Sequence, residues 1–285
     1  MYIDGGEGAY LLSTEGSTQG DNSSMSMYAV STKPLIEHLK SDDVYRSRNA
    51  PKPKQIFYAD DSGAGGQLVA ILAWWKELLD KGPLLGYHPQ STKCHLIVKD
   101  EAAFQRASEI FQDTGVNITL EGRPYLGSAI GTTSYVRQLV REKVQEWVKN
   151  IKSLSEVATS EPHAAFYGYI NGISKRWLFL MRTTPEISDL LQPIEDALKV
   201  HLLPSLVGRQ ITDQERKIFS LPAKYGGLGI ANPVEIADAE FQASRKVTMS
   251  LANTINNQLS SFEEVDWEET KKEKSSASNR KKNVL

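Results

Sequence analysis

The apolar residues of this chain follow two different spacings, which predict helices in some segments and strands in others. Short apolar runs bounded by turn residues predict strands, and apolar positions three and four residues apart predict helices. The strand-like runs are Ile56-Phe57-Tyr58, His95 to Lys99 and Val116 to Leu120. The helical runs are Leu68 to Leu79, Glu101 to Thr114, Val136 to Ile151, Pro162 to Arg182 and Pro185 to Leu203.

The order of these elements predicts an α+β organisation. Strands cluster in the first half of the chain and helices in the second, a pattern typical of an α+β domain followed by a helical one. We therefore divide the chain into residues 1–132 with strands and helices, residues 133–262 with helices only, and a tail of residues 263–285. From Thr270 onward the tail is rich in lysine and arginine and poor in apolar residues, which predicts disorder.

Two adjacent carboxylates follow the first strand-like run. Asp60 and Asp61 come directly after Tyr58-Ala59, and the turn-like stretch from Ser62 to Gly66 comes after them. This arrangement predicts a hairpin tip at which an oxygen-binding cation such as Mg²⁺ reaches both carboxylates. The structural alternative is a solvated turn that caps the next helix.

A second polar element lies upstream of a predicted helix. Two glycines, Gly16 and Gly20, flank Gln19, and they allow a ligand to approach the backbone closely. Asp21 is a suitable N-cap for the helix that follows. An ordinary capped loop is again the structural alternative.

Taken in order, these residues resemble a known family. Gly16-x-x-Gln19-Gly20-Asp21 followed by Tyr58-Ala59-Asp60-Asp61 is similar to motifs B and C of reverse transcriptases. The Gln-Gly-Asp form is typical of non-LTR retroelements, group II introns and retrons. Asn22 departs from the proline usual in the family at that position. Downstream, Pro89-Gln90-Ser91-Thr92-Lys93 resembles motif D and Tyr125-Leu126-Gly127 resembles motif E. The segment from Leu221 to Ile230 is similar to a stretch found in many non-LTR elements.

The resemblance implies a fold and a set of roles. It implies part of a polymerase palm, an antiparallel sheet with helices, followed by a thumb-like helical domain. Asp60 and Asp61 would bind the metal, as one of two Mg²⁺ or Mn²⁺ ions in the complete enzyme, and Lys93 would act as general acid. Substrate and template would contact Gly16, Gln19, Gly20, Tyr58, Tyr125, Leu126 and Gly127. The implied partners are an RNA or DNA template with a primer, and a deoxynucleoside triphosphate.

Part of the family pattern is missing from this sequence. Polymerases of this family take a third aspartate from motif A, several tens of residues before motif B, and Asp4 is the sole aspartate before Gly16. The fingers are missing as well. We therefore expect a truncated polymerase, the C-terminal half, that does not extend primers alone and whose partner is the missing N-terminal half. It is either a fragment of a longer chain or a degenerate copy.

Other functions remain open. A non-catalytic nucleic-acid-binding or scaffold protein derived from a retrotransposon would keep the two aspartates without their activity. An unrelated phosphotransfer or hydrolase site would make the similarity around Gln19 and Lys93 a coincidence. Lys175-Arg176-Trp177 is a further candidate nucleic-acid surface, although a tryptophan in a helical run is more often part of the core.

Composition fits an ordinary folded protein. The chain has 285 residues, a net charge of −2 and one cysteine, so it forms no internal disulfide and shows no zinc-binding spacing. The net charge provides no strong overall attraction to nucleic acid. No apolar stretch is long enough for a membrane span and no signal peptide is evident. We expect an intracellular protein, cytoplasmic or nuclear, without membrane contact.

Overall fold

A computed structural model of the chain describes residues 21–46 and 51–261. In this part helices and strands both occur, which confirms the mixed helix and strand composition predicted from the sequence. The chain forms two compact units. The described residues of the first unit fall within 1–93 and 109–115, and those of the second within 94–108 and 116–285.

The described residues of the first unit include three α-helices that lie wholly within it and one hairpin. Its elements are α1 (Ser24–Lys40), α2 (Asp42–Arg46), β1 (Lys54–Tyr58), β2 (Asp61–Gly65) and α3 (Leu68–Lys81). Helix α1 packs against α3, burying Leu35, Leu39 and Leu78 almost completely. The buried Tyr45 hydroxyl donates a hydrogen bond to the Leu39 carbonyl at 2.7 Å, so α2 is tied to the end of α1.

Helix α1 starts later than the sequence predicts. Its first residue is Ser24, and its N-cap is Ser23 rather than Asp21. The Asp21 carboxylate accepts instead from the Ser23 amide at 2.7 Å. Asp21 therefore forms a short side-chain turn just before the helix, a conformation that aspartate often adopts.

The second unit begins with short strands. They are β3 (His95–Ile97), β4 (Asn117–Thr119), β5 (Gly122–Tyr125) and β6 (Ser128–Gly131), and α4 (Glu101–Phe111) lies between β3 and β4 in the chain. Strands β3 and β4 pair in parallel, whereas β5 and β6 form an antiparallel hairpin. Over the described residues the strands thus form three separate two-stranded sheets, two antiparallel and one parallel, and the polymerase palm implied by the resemblance stays a prediction.

Helices make up the rest of the second unit. They are α5 (Thr133–Ser160), α6 (Pro162–Gly168), α7 (Ser174–Thr183), α8 (Gln192–Ala197), α9 (Leu203–Val207), α10 (Asp213–Ser220) and α11 (Pro233–Asn256). The π-helical segment Tyr169–Ile173 joins α6 to α7, and a second one, Leu198–Leu202, joins α8 to α9. The apolar stripe predicted on α5 is confirmed, since Val140, Val144, Trp147 and Ile151 are all buried.

Two details of this helical region differ from the prediction. Pro185 does not open a helix, because Glu186 has a positive φ of 55° and the next helical residues are Ser188–Leu191. Trp177 is buried, and its ring lies 6.1 Å from that of Trp147 and 6.0 Å from that of Tyr169. Trp177 is therefore part of the core and unavailable as a stacking surface.

Helix α5 begins at Thr133, where the helical region was predicted to start, because the Thr132 side chain accepts from the Tyr135 amide. The domain boundary at this point stays a prediction. Among the helices that the structure describes, none is long and apolar enough to span a membrane.

Candidate metal-binding hairpin

The two aspartates lie at the tip of a tight hairpin in the first unit. Strand β1 pairs antiparallel with β2, and the last pair joins Tyr58 to Asp61. Ala59 and Asp60 are thus the two loop residues, and the predicted hairpin is confirmed. The side chains of Asp60 and Asp61 are both exposed.

The stretch after the aspartates was predicted to be a turn, and this is wrong. Residues Asp61–Gly65 form strand β2, although glycine and serine are weak strand formers. The backbone N–H and C=O groups on one edge of β1 gain hydrogen-bonding partners from β2, which pairs with it from Lys54 opposite Gly65 to Tyr58 opposite Asp61. Pairing thus overrides the local preference of these small residues.

The tip itself holds an uncommon backbone conformation. Ala59 has a positive φ of 50°, and a positive φ at the first loop position is typical of two-residue hairpin turns. Glycine is the usual residue there because a Cβ atom destabilises this conformation. The tip is therefore strained at the residue directly before Asp60.

A buried polar network holds β1 in place. Gln55 is 6% exposed, and its side-chain amide donates to the Ile36 carbonyl of α1 at 2.9 Å. The indole N–H of Trp74, on α3, donates to the Gln55 side-chain oxygen at 2.7 Å. Gln55 thus links the hairpin to both long helices of the first unit.

Tyr87, which follows α3 in the chain, contacts the tip of the hairpin. Its hydroxyl donates to the Asp60 carbonyl at 2.9 Å and lies 2.8 Å from the Ser62 hydroxyl. Its ring packs edge to face on Phe57, with 6.4 Å between the ring centroids. Tyr87 thus contacts the Asp60 backbone on one side of Asp61 and the Ser62 side chain on the other.

Tyr28 of α1 also lies near the tip. Burial raises the pKa of its hydroxyl, and the proximity of Tyr87 and of the Asp60 carboxylate raises it further. The Tyr28 hydroxyl oxygen is buried and has no hydrogen-bond partner among the described residues. Tyr28 and Tyr87 were both missed from the sequence, because neither belongs to a recognisable motif and both reach Asp60 only through the fold.

Lys93 belongs to the same unit as the aspartates. It is the last residue of a short 3-10 turn, Ser91–Lys93, and its side chain is exposed. Its amide donates to the Gln90 carbonyl at 3.0 Å. It therefore precedes a strand, as predicted, and its role as general acid stays a prediction.

The residues resembling motif E lie in the second unit. Leu126 and Gly127 are the two loop residues of the hairpin β5–β6, with positive φ angles of 47° and 80°. A Cβ atom on Gly127 would lie 3.2 Å from the ring of Phe179, on α7. The Ser128 hydroxyl lies 3.2 Å from that of Thr184. This tight turn thus packs directly against the helical part of the same unit.

Several predicted site residues fall outside the described part of the chain. Gly16, Gln19 and Gly20 precede residue 21, and the tail of residues 263–285 follows residue 261. The structure therefore brings together Tyr58, Asp60 and Asp61 on one hairpin, with Lys93 elsewhere in that unit and Tyr125, Leu126 and Gly127 in the second unit.

The two carboxylates at the tip are oxygen donors of the type that Mg²⁺ and similar divalent cations bind. Mg²⁺ is often held by one or two carboxylates, with waters and substrate phosphates completing its shell. The exposed carboxylates of Asp60 and Asp61 match that requirement. Within residues 21–46 and 51–261, no group of three or more histidine, cysteine, aspartate or glutamate side chains is placed to share a metal ion.

Comparison with known proteins leaves the family open. No protein-family model matches the chain, and neither curated proteins nor solved structures gave a match. The functional assignment therefore depends on the residues themselves and on the geometry of the hairpin.

Proposed function

We propose that this chain contributes the metal-binding hairpin of an RNA-directed DNA polymerase, which transfers nucleotides to a primer 3′-hydroxyl under the direction of a template. The observation that carries the proposal is the hairpin β1–β2, whose tip exposes Asp60 and Asp61 directly after Tyr58-Ala59. A polymerase needs its carboxylates accessible to a nucleotide, and a buried or helical Asp-Asp pair would not provide this access.

Each predicted residue has a role in this proposal. Asp60 and Asp61 bind Mg²⁺, which when present offsets the negative charge of the triphosphate and lowers the pKa of the primer hydroxyl. Lys93 donates a proton to the departing pyrophosphate. Tyr125, Leu126 and Gly127 support the primer end, and Gly16, Gln19 and Gly20 contact nucleotide and template.

The basic side of α5 fits contacts with nucleic-acid phosphates. Arg141, Lys149 and Lys152 are exposed on the side away from the buried stripe, and contacts of lysine or arginine with phosphates position a duplex without selecting a sequence. Arg137 does not belong to this surface. Its guanidinium pairs with the Asp189 carboxylate and donates to the Glu186 carbonyl.

We expect the chain alone not to extend primers. The two-metal mechanism holds its ions about 3.5–4 Å apart through carboxylates on both sides. Two neighbouring carboxylates on one turn can hold one ion, but they position a pair of ions poorly. Loss of this positioning costs several orders of magnitude in rate. Primer extension by the purified chain that Asp60→Asn abolishes would contradict this expectation.

The metal site can be tested without activity. Purified protein is loaded with Fe²⁺ and treated with ascorbate and peroxide, so that radicals cut the backbone next to the bound ion. We expect cuts between residues 58 and 62, lost on adding excess Mg²⁺ and lost in the double variant Asp60→Asn, Asp61→Asn. Cuts that persist in this variant, or no cuts at this segment, would refute the proposed site.

The chain offers a matched control for this experiment. Asp42 and Asp43 form a second adjacent pair in the same unit, but Asp42 pairs with Lys52 at 2.6 Å and Asp43 with Arg46 at 3.3 Å. Because lysine and arginine neutralise these carboxylates, Asp42→Asn, Asp43→Asn should leave the cleavage unchanged.

The non-catalytic alternative makes a different prediction. A nucleic-acid-binding protein that keeps the aspartates without using them would bind a primer–template duplex equally well with Mg²⁺, with EDTA and with Asp60→Asn, Asp61→Asn. Fluorescence anisotropy of a labelled duplex under these three conditions distinguishes the two functions.

A further inference from the structure

We propose that Tyr87 is a positioning residue for the aspartate turn. The inference rests on the proposed function of Asp60 and Asp61 as metal ligands. Tyr87 does not itself contact the cation in this proposal. Its hydroxyl contacts the backbone carbonyl of Asp60 and the side-chain hydroxyl of Ser62, one on each side of Asp61, and thereby limits where the two carboxylates point.

The proton positions follow from the two oxygen contacts. A tyrosine hydroxyl has one proton to donate, and the Asp60 carbonyl, 2.9 Å away, can only accept. The Tyr87 proton therefore goes to Asp60. The Ser62 hydroxyl, 2.8 Å away, then donates its own proton to the Tyr87 oxygen. Asp61 lies between two residues that the same hydroxyl holds.

The loop after α3 delivers Tyr87 to this position. The Tyr87 amide donates to the Gly82 carbonyl at 2.9 Å, which closes a turn over residues 82–87. A Cβ atom on Gly82 would lie 2.5 Å from the backbone carbonyl oxygen of Leu78 and 2.6 Å from the backbone carbonyl oxygen of Tyr87. This turn therefore needs glycine at residue 82. Gly86 has a positive φ of 78°, which glycine adopts without strain.

A contact of this kind stabilises the strained backbone of the turn. Ala59 is held at a φ of 50°, and a non-glycine residue persists there only when its surroundings enforce it. Asp60 and Asp61 are exposed and gain little from packing. In addition to the strand pairing, the Tyr87 hydroxyl restrains the tip through its contacts with Asp60 and Ser62.

Tyr87→Phe tests the role of the hydroxyl while keeping the ring on Phe57. Mn²⁺ affinity is measured by electron paramagnetic resonance of the free ion in the full chain. The Asp60–Asp61 site is defined as the binding lost in Asp60→Asn, Asp61→Asn. Because one hydrogen bond contributes modestly in water, we expect Tyr87→Phe to weaken this site by about three- to tenfold. The melting temperature should change little.

Two further variants complete the experiment. Tyr167→Phe removes a hydroxyl from a residue that is 71% exposed in the second unit, and it should leave Mn²⁺ affinity unchanged. Ser62→Ala removes only the bond from serine to Tyr87 and should weaken the site less than Tyr87→Phe does. If Tyr87→Phe unfolds the first unit, Ser62→Ala carries the test, and wild-type affinity in that variant overturns the inference.

The outcomes separate the inference from the function beneath it. Loss of Mn²⁺ binding in the aspartate variant with wild-type affinity in Tyr87→Phe overturns the role of Tyr87 and leaves the metal site standing. Binding that the aspartate variant does not reduce overturns both. A weakened site in a folded Tyr87→Phe protein supports the inference, because a residue that serves the fold alone would alter melting without altering Mn²⁺ affinity.

Discussion

At the level of single residues, Ala59 is where the candidate site departs most from local preference. Most residues avoid a positive φ because the Cβ atom approaches the backbone too closely. Ala59 adopts a φ of 50° directly before Asp60. Leu126, at a φ of 47°, likewise has a positive φ in the other tight hairpin. Both hairpins whose residues resemble polymerase motifs thus turn through a strained residue.

Replacing Ala59 by glycine should relieve this strain. We expect Ala59→Gly to raise the free energy of unfolding by up to about 1 kcal/mol. Glycine removes the steric cost of a Cβ atom in the left-handed conformation, and this cost exceeds the stability lost through the greater entropy of glycine in the unfolded chain. Urea unfolding followed by circular dichroism measures the change.

Ala64→Gly is the matched control for this variant. Ala64 lies in β2 opposite Gln55 of β1 and has no positive φ. Glycine at a regular strand position should lower stability by about 0.5–1 kcal/mol. Equal losses at residues 59 and 64 would contradict the assignment of strain to Ala59.

At the level of elements, a buried ion pair anchors the segment between α10 and α11. Arg216 and Glu195 are 7% and 8% exposed at their side chains and form two hydrogen bonds, of 2.7 and 2.6 Å. Arg216 also donates to the Ile230 carbonyl at 2.8 Å. This pair joins α8 and α10 to the end of the stretch from Leu221 to Ile230 that resembles non-LTR elements.

Breaking this ion pair should destabilise the second unit strongly. Arg216→Met leaves the Glu195 carboxylate buried without its partner, and such losses amount to about 3–5 kcal/mol. The double variant Glu195→Leu, Arg216→Met should recover most of the lost free energy of unfolding, because no charge remains buried. Urea unfolding of the three proteins measures both effects.

An exposed ion pair in the same unit provides the comparison. Arg176 lies 3.5 Å from Glu146, and both side chains are more than half exposed. Arg176→Ala should cost less than about 1 kcal/mol. If Arg216→Met costs no more than this, the buried pair does not anchor the segment.

At the level of the whole molecule, stability should depend on pH through Glu215. Hydrogen bonds from Arg209 and from the Thr212 amide lower the pKa of Glu215 from 4.5 to about 2. A lowered pKa in the folded state stabilises the protein above pH 4.5, and this contribution disappears as the pH falls towards 2. Because the Glu215 side chain is 26% exposed and its partner Arg209 is 60% exposed, the effect is small and salt-sensitive.

Glu215→Gln tests this dependence while keeping a capping side chain at the start of α10. The variant should melt at a lower temperature than the wild type at pH 7, and the two should converge at pH 2. Glu156→Gln, on the exposed side of α5, should run parallel to the wild type throughout. Thermal melts from pH 7 to 2 measure this, and a constant gap for Glu215→Gln would contradict it.

Most individual elements could be predicted from the sequence, because each depends on local patterns. Helix α3 and the apolar stripe of α5 follow from the spacing of apolar residues. Strand β2 could not be predicted, because its residues are weak strand formers and only pairing with β1 makes them a strand. Pro185 was misplaced because the positive φ of Glu186 depends on its surroundings.

The candidate site divides in the same way. The sequence by itself determined that Asp60 and Asp61 stand together at a turn, because adjacent residues stay adjacent in any fold. Only the tertiary structure decided that Tyr87 holds the Asp60 carbonyl, that Tyr28 lies near that residue and that Gln55 ties β1 to two helices. These residues are distant in the chain and meet through packing of α1, α3 and the hairpin, which no local pattern records.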